Sequence, residues 1–241
     1  MSATVDHLLA LGDDALIAAQ RLAEWATVAP EMEEDVALAN IALDQLGAAR
    51  LLLAYAGERE GAGRDEDALA YLRDDREFRN CLLVELPNGD FAVTMAKLLF
   101  LSAYQLPLYV ALSGCPDSRL AAIAGKARKE VAYHLDHARQ WTVRLGDGTA
   151  ESHRRMQAAV DEIWPYTHEL FAADPAAPVD PAGLRGAFLS TVEPVLAAAT
   201  LDRPADGWAP AGGRSGLHTE HLSYLLAEMQ VLHRAHPGAR W

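Results

Sequence analysis

The sequence predicts an all-α fold: an antiparallel bundle of four long helices, followed by further helices. Three observations carry this. Apolar residues recur at three- and four-residue spacing over long stretches. No run of β-branched residues alternates with polar ones. The breaks are few and fall where proline and glycine cluster.

The first helix is expected from about Thr4 to Val28, with Leu8, Leu9, Leu16, Ile17 and Leu22 at helical spacing. The second is expected to start at Pro30, since proline suits a first helical position. Glu31, Glu33, Glu34 and Asp35 then complement the helix dipole. It runs to about Glu58. A polar connector spans Gly57 to Asp67, and one or two short helices follow between Ala68 and Glu85. Leu86-Pro87-Asn88-Gly89 is a strong break. The third long helix covers Asp90 to Leu112, with a kink expected near Pro107. After Gly114-Cys115-Pro116, the fourth begins at Asp117 or Ser118 and stops at Gly146-Asp147-Gly148.

Beyond that point the reading is a fifth helix from Glu151 to Phe171, a helix around Pro181 to Thr200, and a last one from Thr219 to His233. Pro/Gly-rich loops at Asp174–Pro181 and Pro204–Gly216 separate them. Residues 1–146 are therefore read as the bundle, and residues 147–241 as a helical extension packed on it within the same domain. Four long helices with one long crossover, between the second and third, are the arrangement of ferritin-like folds.

Composition narrows the function. A net charge of −13 argues against nucleic acid and anionic membrane as partners, because both reward clustered Lys and Arg. Cys81 and Cys115 form no CxxC pair and read as reduced thiols. Leu98 to Pro116 holds no charged residue, but Ser102, Gln105, Pro107 and Ser113 interrupt it. It reads as a buried bundle helix rather than a span. The N-terminus shows no secretory pattern. No Gly-x-Ser-x-Gly elbow or glycine-rich phosphate loop is present. His7, His153 and His168 read as solvated surface residues.

Ferritin-like carboxylate proteins build a di-iron site from one Glu on each of two helices and a Glu-x-x-His pair on each of the other two. Residues at i and i+3 share a helix face, so each such pair presents two ligands to one point. Here the corresponding positions are Glu24; Asp44 with Gly47; Ser102, with Gln105 nearby; and Glu130 with Tyr133. The faces around Asp44 (Ala37, Asn40, Ile41, Ala48, Leu51) and Glu130 (Ile123, His134, His137, Trp141) make both carboxylates read as inward. Glycine cannot ligate, and a tyrosine and a serine replace a histidine and a carboxylate. The set is degenerate, so no metal, catalytic or cofactor-binding residue is expected in this chain. Glu24, Asp44, Glu130, His134 and Lys126 are expected to satisfy one another instead. The alternative is an autonomous ferritin-like metal oxidase or oxygenase that uses Glu24, Asp44, Glu130 and a displaced His134.

At these positions longer motifs stand out. They are Gln20-Arg21-Leu22-Ala23-Glu24-Trp25, Ala29-Pro30-Glu31, and Asp35 through Asp44 (DVALANIALD). Further along come Leu83 through Phe91 (LVELPNGDF), Lys129 through Leu135 (KEVAYHL), Gly216 through Leu222 (GLHTEHL) and Ala227-Glu228-Met229-Gln230. Together they resemble the structural (C) subunit of the bacterial multicomponent phenylacetyl-CoA 1,2-epoxidase, over essentially the whole chain. The resemblance implies a ferritin-like fold and a cytoplasmic role in aerobic phenylacetate breakdown. It implies a heterodimer with a related catalytic subunit that holds the di-iron centre, and higher assembly beyond that. It also implies a reductase subunit that supplies electrons from NADPH, and insertion of one oxygen atom of O2 into the aromatic ring. This chain's part is then structural.

Overall fold

A computed structural model describes residues 4–174 and 177–239. Nine α-helices are present among them: α1 (Val5–Ala23), α2 (Met32–Glu60), α3 (Glu66–Tyr71), α4 (Leu82–Glu85), α5 (Phe91–Leu112), α6 (Ser118–Gly146), α7 (Ala150–Ile163), α8 (Arg185–Ala198) and α9 (Glu220–Ala235). Short 3₁₀ turns lie at Asp75–Glu77, Trp164–Phe171, Pro181–Leu184 and Gly213–Ser215. No strand occurs among the described residues, so the chain is all-α.

Some boundaries differ from the sequence reading, each for a local reason. α1 stops at Ala23, not Val28. Thr27 takes a left-handed φ of 71°, and its N–H donates to both carboxylate oxygens of Asp35 at 3.1 and 3.0 Å. That turn uses up Pro30, and α2 begins two residues later. The run through Pro165 is not one α-helix: α7 ends at Ile163 and the chain tightens into a 3₁₀ turn from Trp164. Proline has no N–H to continue the ladder. Pro107, by contrast, sits within an α5 that is helical from end to end.

The described residues fall into two compact units. One comprises residues 4–87 and 211–239, the other residues 88–210. The stretch after residue 147 is thus shared between them.

In the first unit α1 lies along α2, with Leu8, Ile17, Leu38, Leu52 and Leu53 fully buried. Gly12 permits the close approach, since a Cβ there would stand 2.8 Å from Leu53 Cδ2. The unit also buries charge. Asp13 is 0 % exposed and accepts from both terminal nitrogens of Arg73, itself 1 % exposed, and from the Arg79 N–H at 2.8 Å. Burial pushes the Asp13 carboxyl above its usual range, while the Arg73 guanidinium pulls the other way. Asp14 accepts from the Cys81 N–H at 2.8 Å and from both terminal nitrogens of Arg214, at 2.8 and 2.6 Å.

A second buried carboxylate, Glu85, accepts from Asn80 Nδ2 (2.9 Å), from the Thr219 N–H (2.6 Å) and from His218 Nδ1 (2.8 Å). The other His218 nitrogen faces the Phe78 carbonyl at 3.1 Å, a geometry that suits a doubly protonated ring. Through Arg214, His218 and Thr219 the last part of the chain is bolted to the α1–α4 region. Two of the motifs that define the resemblance, around Glu85 and around His218, meet here.

In the second unit α5 lies along α6, with α7 and α8 packed on the pair. Asp90 caps α5, accepting from the Ala92 and Val93 N–H groups at 3.0 and 3.1 Å. The core here is aromatic: Phe100 meets Trp164 edge-on at 5.5 Å, and Phe171 meets Phe188 at 5.0 Å. Gly146 closes α6 where any side chain would collide, since a Cβ would stand 2.3 Å from the Ala199 carbonyl oxygen. This unit therefore buries its hydrophobic load on residues that lie after 147 as much as on α5 and α6.

Candidate subunit interface and the ligand positions

Each degenerate ligand position has a definite place. Glu24 is the C-cap of α1, with 37 % of its side chain exposed, and pairs with Arg21 at 2.7 Å. Asp44 is half-buried at the margin of α2, as is Gly47. The buried face of α2 runs through Leu38, Ile41, Ala42, Gln45, Ala48, Ala49 and Leu52. The inward reading of Asp44 is thus displaced by one residue, and Gln45 is the polar side chain that goes fully inside. Asn40 is exposed, and Leu51 is 40 % exposed.

Ser102 is 0 % exposed and its hydroxyl finds no hydrogen-bond partner among the described residues. A neutral hydroxyl costs far less to bury in this way than a carboxylate would. Glu130 is half-buried and pairs with Lys126 at 2.5 Å. Tyr133 is 78 % exposed, so it points away from any core, whereas His134 is 1 % exposed.

Of the pairs expected within the set, the structure shows Glu130 with Lys126, whereas Glu24 pairs with Arg21, a residue outside that set. Two iron ions need converging anionic oxygens and imidazoles. Glycine, an exposed tyrosine, a neutral serine and two carboxylates already held by cations do not fit them. Among the described residues, no group of three or more His, Cys, Asp or Glu side chains comes together as a ligand set.

The three lone histidines are not simply solvated. His7 is buried, His153 Nδ1 lies 2.7 Å from the Gly146 carbonyl oxygen, and His168 Nε2 lies 3.1 Å from Asp206.

What the helices do present is an apolar surface on α2. Met32 (80 % exposed), Val36 (57 %), Leu43 (63 %) and Leu46 (44 %) follow one another along it, with Ala39 exposed between them. The spacing 32, 36, 39, 43, 46 alternates four and three, an average of 3.5 residues. A stripe with that period keeps facing one way along a helix that supercoils around another. It lies opposite the buried face, so α2 is apolar on both sides. That explains why its length and composition would also allow a membrane span.

A monomer rarely shows such a continuous patch without a use for it. A smaller group, Leu217, Tyr224 and Val231, lies on and just before α9. An open groove of about 650 Å³ between α6 and α8 is lined by Arg139, Arg144, Thr191 and Pro194, but Arg139 is engaged by Asp136 at 2.8 Å. The α2 stripe is missed by a reading centred on the Asp44 face, which places Leu51 and Asn40 inside. The alternation from Met32 to Leu46 is the sequence signal that could have found it.

Fold and surface together define an all-α protein with an exposed apolar face along α2. The chain belongs to the phenylacetic acid catabolic protein family, whose model matches residues 1–241. It is 47 % identical, over the full length of both chains, to the C subunit of the 1,2-phenylacetyl-CoA epoxidase of Escherichia coli (strain K12).

Proposed function

We propose that this chain is the non-catalytic structural subunit of a phenylacetyl-CoA 1,2-epoxidase acting in aerobic phenylacetate catabolism in the cytoplasm. In this reading its two helix hairpins, α1–α2 and α5–α6, are those of a ferritin-like bundle. It holds no metal or cofactor of its own. It pairs with a related catalytic subunit that carries the di-iron centre and receives electrons from an NADPH-dependent reductase subunit. The observation that carries the pairing is the exposed apolar stripe of α2. The likeness to an epoxidase subunit supports the pathway, and the ligand positions support the division of labour.

Chemically, the chain's contribution is mechanical. Covering an apolar helix face of the catalytic subunit fixes the helices behind it, and a ligand shell held by packed neighbours stays near its productive geometry. The buried Asp13–Arg73, Asp14–Arg214 and Glu85–His218 contacts tie the α1–α2 hairpin to α3, α4 and the last helix. They make the unit that presents the stripe resistant to deformation.

The test is co-expression with the catalytic subunit, comparing the natural chain with Leu43→Glu, followed by size-exclusion chromatography and iron determination. The natural chain is expected to co-elute with its partner, with about two irons per heterodimer and close to none in the isolated chain. Leu43→Glu should fold normally and fail to co-elute. About two irons bound tightly in the isolated chain would instead place this protein among the catalysts.

A further inference from the structure

The α2 stripe has a property that pairing with a different subunit does not require: it reads the same in both directions. Continued by one step to Arg50, its positions are 32, 36, 39, 43, 46 and 50, with spacings of four, three, four, three and four. This order is symmetric about a point level with residue 41. We infer that, in the absence of the catalytic subunit, the stripe is covered by a second copy of this chain. The two α2 helices then run antiparallel about a two-fold axis at that level. The inference shares its surface with the heterodimer reading above but rests on the register and charge of α2 alone.

In such a pair, two-fold symmetry places each residue opposite the one equally far beyond the centre. Ala39 meets Leu43 of the second copy, Val36 meets Leu46, and Met32 meets Arg50. Small faces large in the middle, where the helices must approach most closely. At each end the aliphatic stem of Arg50 can cover Met32 while its charged head stays in water. Arg50 is 75 % exposed although it touches Glu66 at 3.2 Å, so its guanidinium has donors to spare.

Charge then selects the direction. Glu33, exposed beside Met32, comes near Arg50 of the second copy in the antiparallel pair, and does so twice by symmetry. A parallel pair would instead set Arg50 against Arg50 across the seam. Opposite charges at the edge of a two-helix seam fix orientation in this way.

The dimensions are adequate. From residue 32 to residue 50 the stripe rises about 27 Å along the helix. Its apolar side chains together with Leu51 expose on the order of 500 Å² per copy, against roughly 800 Å² per partner for a stable interface; the polar flanks make up the difference. The same patch meeting itself is the isologous contact of a two-fold dimer. Because self-pairing and partner binding use one surface, they compete by mass action.

The experiment uses the full-length isolated chain with Cys115→Ser, so that only the buried Cys81 remains. Sedimentation velocity should show a dimer in the micromolar range, and Leu43→Glu should return it to monomer with an unchanged melting temperature. Ala39→Cys and Leu43→Cys variants, mixed and mildly oxidised, should cross-link to each other. Neither should cross-link alone, because two-fold-related copies of one position are offset by about 6 Å along the axis. Glu33→Arg or Arg50→Glu should each weaken the dimer at least tenfold, and the two together should restore it to within a few-fold.

A chain monomeric at all concentrations, or Ala39→Cys cross-linking efficiently to itself, overturns the inference. If the chain is monomeric yet Leu43→Glu abolishes capture of the catalytic subunit, self-pairing falls and the heterodimer reading stands. If the antiparallel dimer forms and Leu43→Glu leaves capture intact, the heterodimer surface lies elsewhere and self-pairing stands.

Discussion

Replacing Arg73 by methionine isolates the energetics of the most deeply buried ion pair. The methionine keeps a flexible apolar stem above Phe78, whose ring centroid lies 4.2 Å from the guanidinium carbon. It removes the donors to both Asp13 oxygens. Asp13, with no exposed surface, keeps only the Arg79 N–H. A carboxylate stranded like this escapes most cheaply by taking up a proton. Neutralising a group with an unfolded pKa of about 4 costs roughly 5 kcal/mol at pH 7.5 and about 3 kcal/mol at pH 6. Losing the donations to the Leu69 and Glu77 carbonyls adds about 1 kcal/mol that does not vary with pH.

The sign follows from linkage. A carboxyl whose folded pKa lies above its unfolded value makes the folded state the better proton binder, so stability falls as pH rises through that window. Burial already sets this direction for Asp13 in the natural chain, and losing Arg73 enlarges it. Urea unfolding of both proteins at pH 7.5 and pH 6, above the sequence pI of about 5.0, should show the variant's deficit shrinking by about 2 kcal/mol on acidification. A deficit equal at both pH values would refute the reasoning, because it would mean that Asp13 stays ionised without Arg73.

Three further outcomes follow from the same contacts. Glu85→Gln should cost about 1–3 kcal/mol in urea unfolding, since a neutral amide leaves part of the His218, Thr219 and Asn80 donor set poorly satisfied. Hydrogen exchange should speed up in α9 before α5. Asp90→Ala removes the acceptor for two N–H groups at the start of α5 and should lower stability by about 1 kcal/mol, with Asp90→Asn largely restoring it. Gly146→Ala forces a methyl group into the Ala199 carbonyl oxygen and should destabilise by more than about 2 kcal/mol, whereas Gly125→Ala, which meets open space, should not.

Several features are legible in the amino-acid order alone. Helical period, turn residues and the absence of alternation suffice for an all-α chain, because backbone hydrogen bonding in a helix is local and its signals lie within a few residues. The starts of α6 and α5 agree with the sequence reading for the same reason: Asp117 and Asp90 act on their own neighbours. The loss of ligand chemistry at Gly47 is equally plain, since a glycine side chain has no donor in any fold.

Other features depend on distance along the chain. Nothing near Asp13 announces Arg73, and nothing near Glu85 announces His218, because 60 and 133 residues separate the partners. A buried carboxylate becomes tolerable only when the tertiary fold delivers its cation. The division of the C-terminal stretch, with residues up to 210 packed on α5 and α6 and the remainder bolted to α1–α4, is likewise set by long-range contacts. α2 shows the limit most directly. It is apolar on two faces, so its sequence allows either to be the core. Packing against α1 decides that Ile41, Gln45 and Leu52 go inside. It leaves Met32, Val36, Leu43 and Leu46 outside, on the face turned away from that core.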